Sequence, residues 1–226
     1  MQPGGSEAPH AAAGQPDWER WIEERAAASS LDIDRSRVVA LAEHARRVLR
    51  AGAELHLTTI VDPREFLERH LGESFEGAAL LDAAVEGAAL DLGSGNGYPG
   101  IPIAAARPGL RLRLSEASVK KATFLRQVVA DGGWSIEVIE RQVQRAADLD
   151  GHGGPFRLIT CRAVGGWAKI LPRLVPALAP TGEILLWAGD EVPAIATRVV
   201  WRRLSVADRH ALPGREQSWI WRIRAA

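Results

Sequence analysis

Apolar residues recur at helical spacing through the N-terminal part of this chain and, from Ala88 onward, in short strand-like runs separated by helical stretches. Trp18 and Ile22 follow Asp17, a residue type that caps helices, and predict a short helix broken at Ser29 and Ser30. Val38, Leu41, Ala45, Val48 and Leu49 mark a second helix behind Asp34 with Gly52 as its stop, and His44, Arg46, Arg47 and Arg50 fall on its polar side. Asp62 and Pro63 suit the cap and first turn of a third helix, whose apolar side carries Phe66, Leu67, His70 and Leu71.

The run Ala88, Ala89, Leu90 and Leu92 reads as a buried strand that stops at three alternating glycines, and the following prolines predict a helix over about 99–106. Leu110, Leu112 and Leu114 alternate along a strand over 111–115 that Glu116 ends, and Phe124, Leu125 and Val128 face inward from the next helix. Ile136, Val138 and Ile139, then Phe156, Leu158 and Ile159, then residues 184–187 read as further strands, with a helix over 171–178 and a turn at Gly182. Beyond Pro193 come a helix and two late strands, near 201–206 and 218–223, the second with Trp219 and Trp221 on one face and Ile220 on the other. Strands alternating with helices in this way make an α/β protein.

The composition agrees with one α/β domain and a modest extension: 226 residues, 46% hydrophobic and 25% charged. Residues 1–16, rich in Gly, Pro and Ala, are expected to be a flexible tail. No run approaches the ~18 apolar residues of a membrane span, and the N-terminus lacks the basic and apolar regions of a secretion signal, so a cytoplasmic, membrane-free protein is expected. The lone Cys161 excludes an internal disulfide and any Cys-based metal cluster, and no metal is expected. Equal totals of 28 basic and 28 acidic residues hide an asymmetry: residues 1–100 carry 9 Lys/Arg against 17 Asp/Glu, and residues 101–226 carry 19 against 11. A basic half following the glycines fits either a nucleic-acid surface or compensation between two packed halves.

The candidate chemistry starts at Leu90-Asp-Leu-Gly-Ser-Gly-Asn-Gly-Tyr-Pro-Gly100. Glycines take positive φ and admit a ligand close to the backbone, and the first N–H groups of the next helix face that ligand, so the loop reads as a nucleotide-like binding site. Gly95 to Gly100 formally matches the dinucleotide fingerprint, but Asp91 before the first glycine makes Asp-x-Gly-x-Gly-x-Gly, which resembles the first motif of S-adenosylmethionine methyltransferases. That resemblance implies S-adenosylmethionine as cofactor, Asp91 beside its ammonium, and Gly93, Ser94, Gly95, Gly97 and Tyr98 along it. Glu116 stands about twenty residues on, at a strand end, where Rossmann-type folds hydrogen-bond ribose hydroxyls. Lys120 and Lys121, at the start of the next helix near the carboxyl edge of the sheet, and Arg126 in its middle are candidate phosphate contacts.

Three separated segments then resemble one family. Residues 55–74, with Arg69-His70, the glycine loop, and Lys120-Lys-Ala-Thr-Phe-Leu-Arg-Gln-Val128 are similar to the bacterial glucose-inhibited division protein B family, the 16S ribosomal RNA guanine-N7 methyltransferases. The resemblance runs from about Asp34 to the C-terminus. It implies a Rossmann-like class I fold with a seven-stranded, mostly parallel sheet, an antiparallel last strand and a helical N-terminal cap, divided as tail 1–16, cap 17–80 and core 81–226. It further implies that Val143 and Gln144 meet the adenine end, that Arg162 in Cys161-Arg-Ala-Val164 contacts the cofactor at the reacting centre, and that the partner is 16S ribosomal RNA or a small-subunit precursor, acted on by a monomer. Gln142, Gln144 and Ala188 depart from the family's usual Arg, Glu and Lys, which keeps open a relative acting on a small molecule. A dehydrogenase using NAD and a non-catalytic RNA-binding module are the other readings.

Overall fold

The computed structural model describes residues 16–226, so the expected tail lies, but for Pro16, outside the described residues. Helix α1 (Trp18–Ala28) begins where the Asp17 side chain accepts from the Arg20 amide, and α2 (Arg35–Ala51) where Asp34 accepts from Ser36. Asp62 caps α3 (Pro63–Phe66) through the Glu65 amide, and the chain continues as a π-helical segment (Leu67–Gly72) into α4 (Glu73–Ala79). The apolar stripe of residues 66–71 is buried as its spacing predicts, whereas nothing in that spacing marks the π turn.

Seven strands form one sheet: β1 (Gly87–Leu92), β2 (Leu110–Glu116), β3 (Glu137–Glu140), β4 (Phe156–Arg162), β5 (Leu178–Ala188), β6 (Leu204–Ala211) and β7 (Trp219–Ala225), in the order β3-β2-β1-β4-β5-β7-β6. The pairs from β3 through β5 are parallel, and β7 runs antiparallel to both β5 and β6. Helices α5 (Gly100–Ala106) and α6 (Val119–Asp131) pack with the cap on one face, around Ala89, Leu114, Leu158 and Ile220; α7 (Trp167–Leu174) and the segment around α8 (Val192–Ala196) pack on the other, around Leu90, Ile159, Leu186 and Trp221. The alternation of these residues between faces is the period of two that the sequence shows. Because β2 and β3 extend the sheet to one side of β1 while β4 lies on its other side, the strand order reverses between β1 and β4, and a crevice opens at their carboxyl ends.

Three boundaries differ from the sequence expectation. The helix expected over 171–178 is α7, which starts at Trp167; Pro172 and Pro176 bring it to an end, and Leu178 already belongs to β5. Gly182, expected in a turn, lies inside β5, where a Cβ would sit 2.6 Å from the Phe156 carbonyl oxygen; the strand needs a glycine for that close approach. Trp201, expected in a strand, sits in a short 3-10 turn, fully buried, with its indole N–H donating to the Ala168 carbonyl at 2.8 Å; β6 begins three residues later.

Candidate functional site

The glycine loop crosses the carboxyl end of β1 and is held from three sides. From β2, the Ser115 hydroxyl accepts from the Gly93 amide at 3.2 Å, and its carbonyl accepts from the Ser94 amide at 2.8 Å. Glu116 closes the second side: one carboxylate oxygen accepts from the Gly95 amide at 2.9 Å and the other from the Ser118 amide, at the start of α6, at 2.8 Å. Gly93, Gly95 and Gly97 all have positive φ, at +67°, +55° and +91°. A Cβ added at Gly95 would meet nothing nearer than 3.9 Å, so this glycine leaves its space to the crevice.

The third support is the cap. His44 of α2 is buried, with Nε2 2.7 Å from the Asn96 carbonyl, and its ring stacks on Tyr98 at 4.6 Å. A carbonyl only accepts, so Nε2 carries the proton and donates. Burial holds the His44 pKa down to about 4, which keeps the ring neutral at pH 7. The polar-side placement expected for His44 is therefore corrected: Asn96 and Tyr98 supply partners that make its burial possible. A Cβ at Gly97 would lie 3.0 Å from His44 and 2.8 Å from Ile101, so this glycine serves packing beneath the loop.

A cavity of about 350 Å³ lies over the loop, and Gly93, Ser94, Gly95, Tyr98, Glu116, Lys121 and Arg162 line it together with Leu57, His70 and Asn96. Arg162, at the end of β4, donates from Nη2 to His70 Nδ1 at 3.4 Å. An arginine cannot accept, so Nδ1 is the bare nitrogen and Nε2–H faces Thr58 Oγ1 at 3.1 Å. Burial, followed by the Arg162 charge, pushes the His70 pKa down to about 3, and burial pushes that of Arg162 below its ordinary value. His70, Asn96, Leu57 and Thr58 were not among the expected site residues. The signal for His70, Leu57 and Thr58 was the segment 55–74 itself, singled out for its resemblance; Asn96 lies within the glycine loop.

Asp91, Gly97, Val143 and Gln144 do not line this cavity. Asp91 shares the Ala89 face of β1, beneath the loop, where its Oδ1 accepts from Thr160 at 2.7 Å and burial raises its pKa to about 6. Val143 is buried in the core on the opposite face, and the Gln144 amide donates to Asp148 at 2.9 Å. Among the phosphate candidates, Lys121 reaches the cavity, Lys120 is exposed beside it in sequence, and Arg126 pairs with Glu140 at 2.8 Å. Among the described residues no group of three or more His, Cys, Asp or Glu is placed to hold a metal ion, and no helix is long and apolar enough to cross a membrane.

The residues present fit a nucleoside cofactor: a glycine cradle that a Cβ would fill, and a carboxylate at the end of β2 whose remaining lone pairs can accept from vicinal hydroxyls. Among solved structures, a mutant of MtNAS in complex with S-adenosylmethionine shares the fold at a TM-score of 0.58 and 16% identity, over 91% of this chain and 88% of that one. The fibrillarin/Nop5p complex shares it at 0.54 and 15%, over 65% and 75%. In sequence, the ribosomal RNA small subunit methyltransferase G of Sorangium cellulosum is 37% identical over 79% of this chain and 75% of its own length. That of Solibacter usitatus is 32% identical over 78% and 84%. The family described as rRNA small subunit methyltransferase G matches residues 37–197, a span that holds most of α2, the π-helical segment, the glycine loop, Glu116 and Arg162, and the chain belongs to that family.

Proposed function

We propose that this protein transfers the methyl group of S-adenosylmethionine to N7 of a guanine in 16S ribosomal RNA. The observation that carries the reading is the convergence of the glycine loop, Glu116 and Arg162 on one cavity at the switch point of the sheet, in a chain of this family. When bound, S-adenosylmethionine supplies a methyl group on a sulfonium, and the C–S electron pair returns to sulfur as the N7 lone pair forms the new bond. N7 carries an in-plane lone pair and no proton, so the residues around it need supply no general base. Their task is alignment in the entropic sense, holding donor and acceptor in line. Glu116 takes the ribose hydroxyls, Gly93, Ser94 and Gly95 lie along the cofactor, and Lys121 stands beside Glu116. Arg162 borders both this cavity and a second one, and this supports a guanidinium that lies between donor and acceptor. His70, neutral and accepting from Arg162, fixes the direction of that guanidinium. Asp91, expected beside the ammonium, ties the loop's base to β4 through the Oδ1 that accepts from Thr160. A structured RNA target has to leave its stack first, at a cost of a few kcal/mol.

Calorimetry checks the cofactor half of the reading. S-adenosylmethionine is expected to bind, and Glu116→Ala to weaken it by about 1.5–3 kcal/mol, the range for hydrogen bonds to a charged group. Binding of NAD without binding of S-adenosylmethionine overturns the assignment.

A further inference from the structure

A second cavity, of about 310 Å³, lies across Arg162 and Ala163 from the first. Trp187, Ala188 and Trp219 give it apolar walls, and the cap contributes one carboxylate, Glu73, only 5% exposed. Three guanidinium groups from three separate segments converge on that carboxylate. Arg215, in the turn between β6 and β7, donates from Nη1 at 3.0 Å; Arg69 Nε, from the π-helical segment, lies 3.3 Å away; Arg162 Nη2 lies 3.6 Å away. Among the described residues, every ion pair of these three arginines runs to Glu73, so one negative charge is shared by three positive ones.

The excess positive charge in a half-enclosed cavity draws an anion, and a guanidinium fork matches phosphate oxygens. Of the basic residues that the sequence offers to RNA, Arg126 is neutralised by Glu140 at 2.8 Å, and Lys121 lies at the first cavity with Lys120 exposed next to it in sequence. The side chains of Arg215 and Arg69 are 32% and 37% exposed, against 16% for Arg162, so the first two can meet a ligand from solvent while the third stays in the partition. We infer that Arg215 and Arg69 bind a phosphodiester group of the RNA strand flanking the nucleotide whose base enters this second cavity. The inference rests on the RNA reading above. Trp219, on the cavity wall, offers the base a flat apolar surface.

The test is a titration of unmodified 16S RNA, transcribed in vitro, with the full chain from about 50 to about 200 mM salt, a range over which phosphate contacts are read from the slope of log affinity against log salt. Arg215→Gln and Arg69→Gln are each expected to lower that slope by roughly 0.7–0.9, and the pair by about twice as much. Arg215→Lys keeps the charge and is expected to keep the slope. Arg20→Ala, on an exposed side chain of α1 paired with Glu24, serves as the control and leaves the slope unchanged. Calorimetric affinity for S-adenosylmethionine, retained in every variant, shows that each is folded. Parental slopes in both Gln variants, with cofactor affinity retained, overturn the inference and leave the methyltransferase reading standing. A parent chain that binds the cofactor but no RNA overturns the RNA reading, and this inference with it.

Discussion

His44 follows Leu41 by three residues and precedes Val48 by four, which puts it on the apolar stripe of α2 by spacing alone. Residue type suggests the polar side instead, and spacing wins because a carbonyl and a stacked ring await it. A pH dependence follows. Unfolded, His44 and His70 each bind a proton near pH 6.5; folded, they do so only near about 4 and about 3. Between those values the unfolded chain binds more protons, so the stability that these neutral rings contribute is fully present above pH 6.5 and is lost as the pH falls. Asp91 acts oppositely: its carboxyl, at 3.8 unfolded and about 6 folded, contributes stability at low pH that is lost as the pH rises through about 6. Two histidines outweigh one acid, so the urea midpoint is expected to fall from pH 6.5 to 4. His44→Gln keeps a donor for Asn96 and removes one titration. It should flatten that fall, and a parental slope in this variant would mean that His44 is charged in the fold.

At the scale of elements, the sequence marks the glycine loop as one ligand-binding unit, and the structure divides its glycines by task. Gly95 opens onto the crevice, whereas Gly97 makes room for His44 and Ile101. Gly95→Val therefore fills cofactor space and, at a φ of +55°, adds backbone strain of ~1–3 kcal/mol. Gly97→Ala collides with the cap beneath the loop. The expected outcome is lost S-adenosylmethionine affinity with a small drop in melting temperature for the first, and a large drop in melting temperature for the second. Equal cofactor affinity in Gly95→Val and parent would move the site elsewhere. Strands β1, β2 and β4 were legible because their buried runs are short and bounded by loop residues. The extent of β5 was not: Gly182 reads as a turn in one dimension, and only the neighbouring Phe156 carbonyl explains a glycine within the strand. The second cavity was equally hidden. Arg69 and Glu73 are neighbours at i and i+4, but Arg162 and Arg215 are far from them in sequence, and only the docking of the cap against the core and the β6–β7 turn collects all four.

Across the whole molecule, the acidic N-terminal part and the basic C-terminal part meet at Glu73, which pairs with Arg162 and Arg215. Part of the charge asymmetry is thus internal compensation between cap and core, and the excess left at Glu73 lies beside the cavity where the acceptor would sit. Ala188, which replaces the lysine usual in the family, lines that same cavity, and Arg215 brings a cation to it from another strand connection. A protein acting on a small neutral molecule has no use for such a surplus; one acting on RNA does. Deleting the gene from its host is therefore expected to remove one N7-methylguanosine from 16S RNA, located by strand scission after reduction and aniline treatment. The parental gene should restore the mark. An Arg162→Ala copy should not, because the remaining groups bind cofactor and RNA without holding donor and acceptor in line. Arg162→Lys is expected to restore it poorly, since one ammonium nitrogen can replace Nη2 against His70 and Glu73 but not the planar guanidinium that borders both cavities. An undiminished mark in the deletion strain would transfer the assignment to another substrate, with Gln142, Gln144 and Ala188 as the residues that changed it.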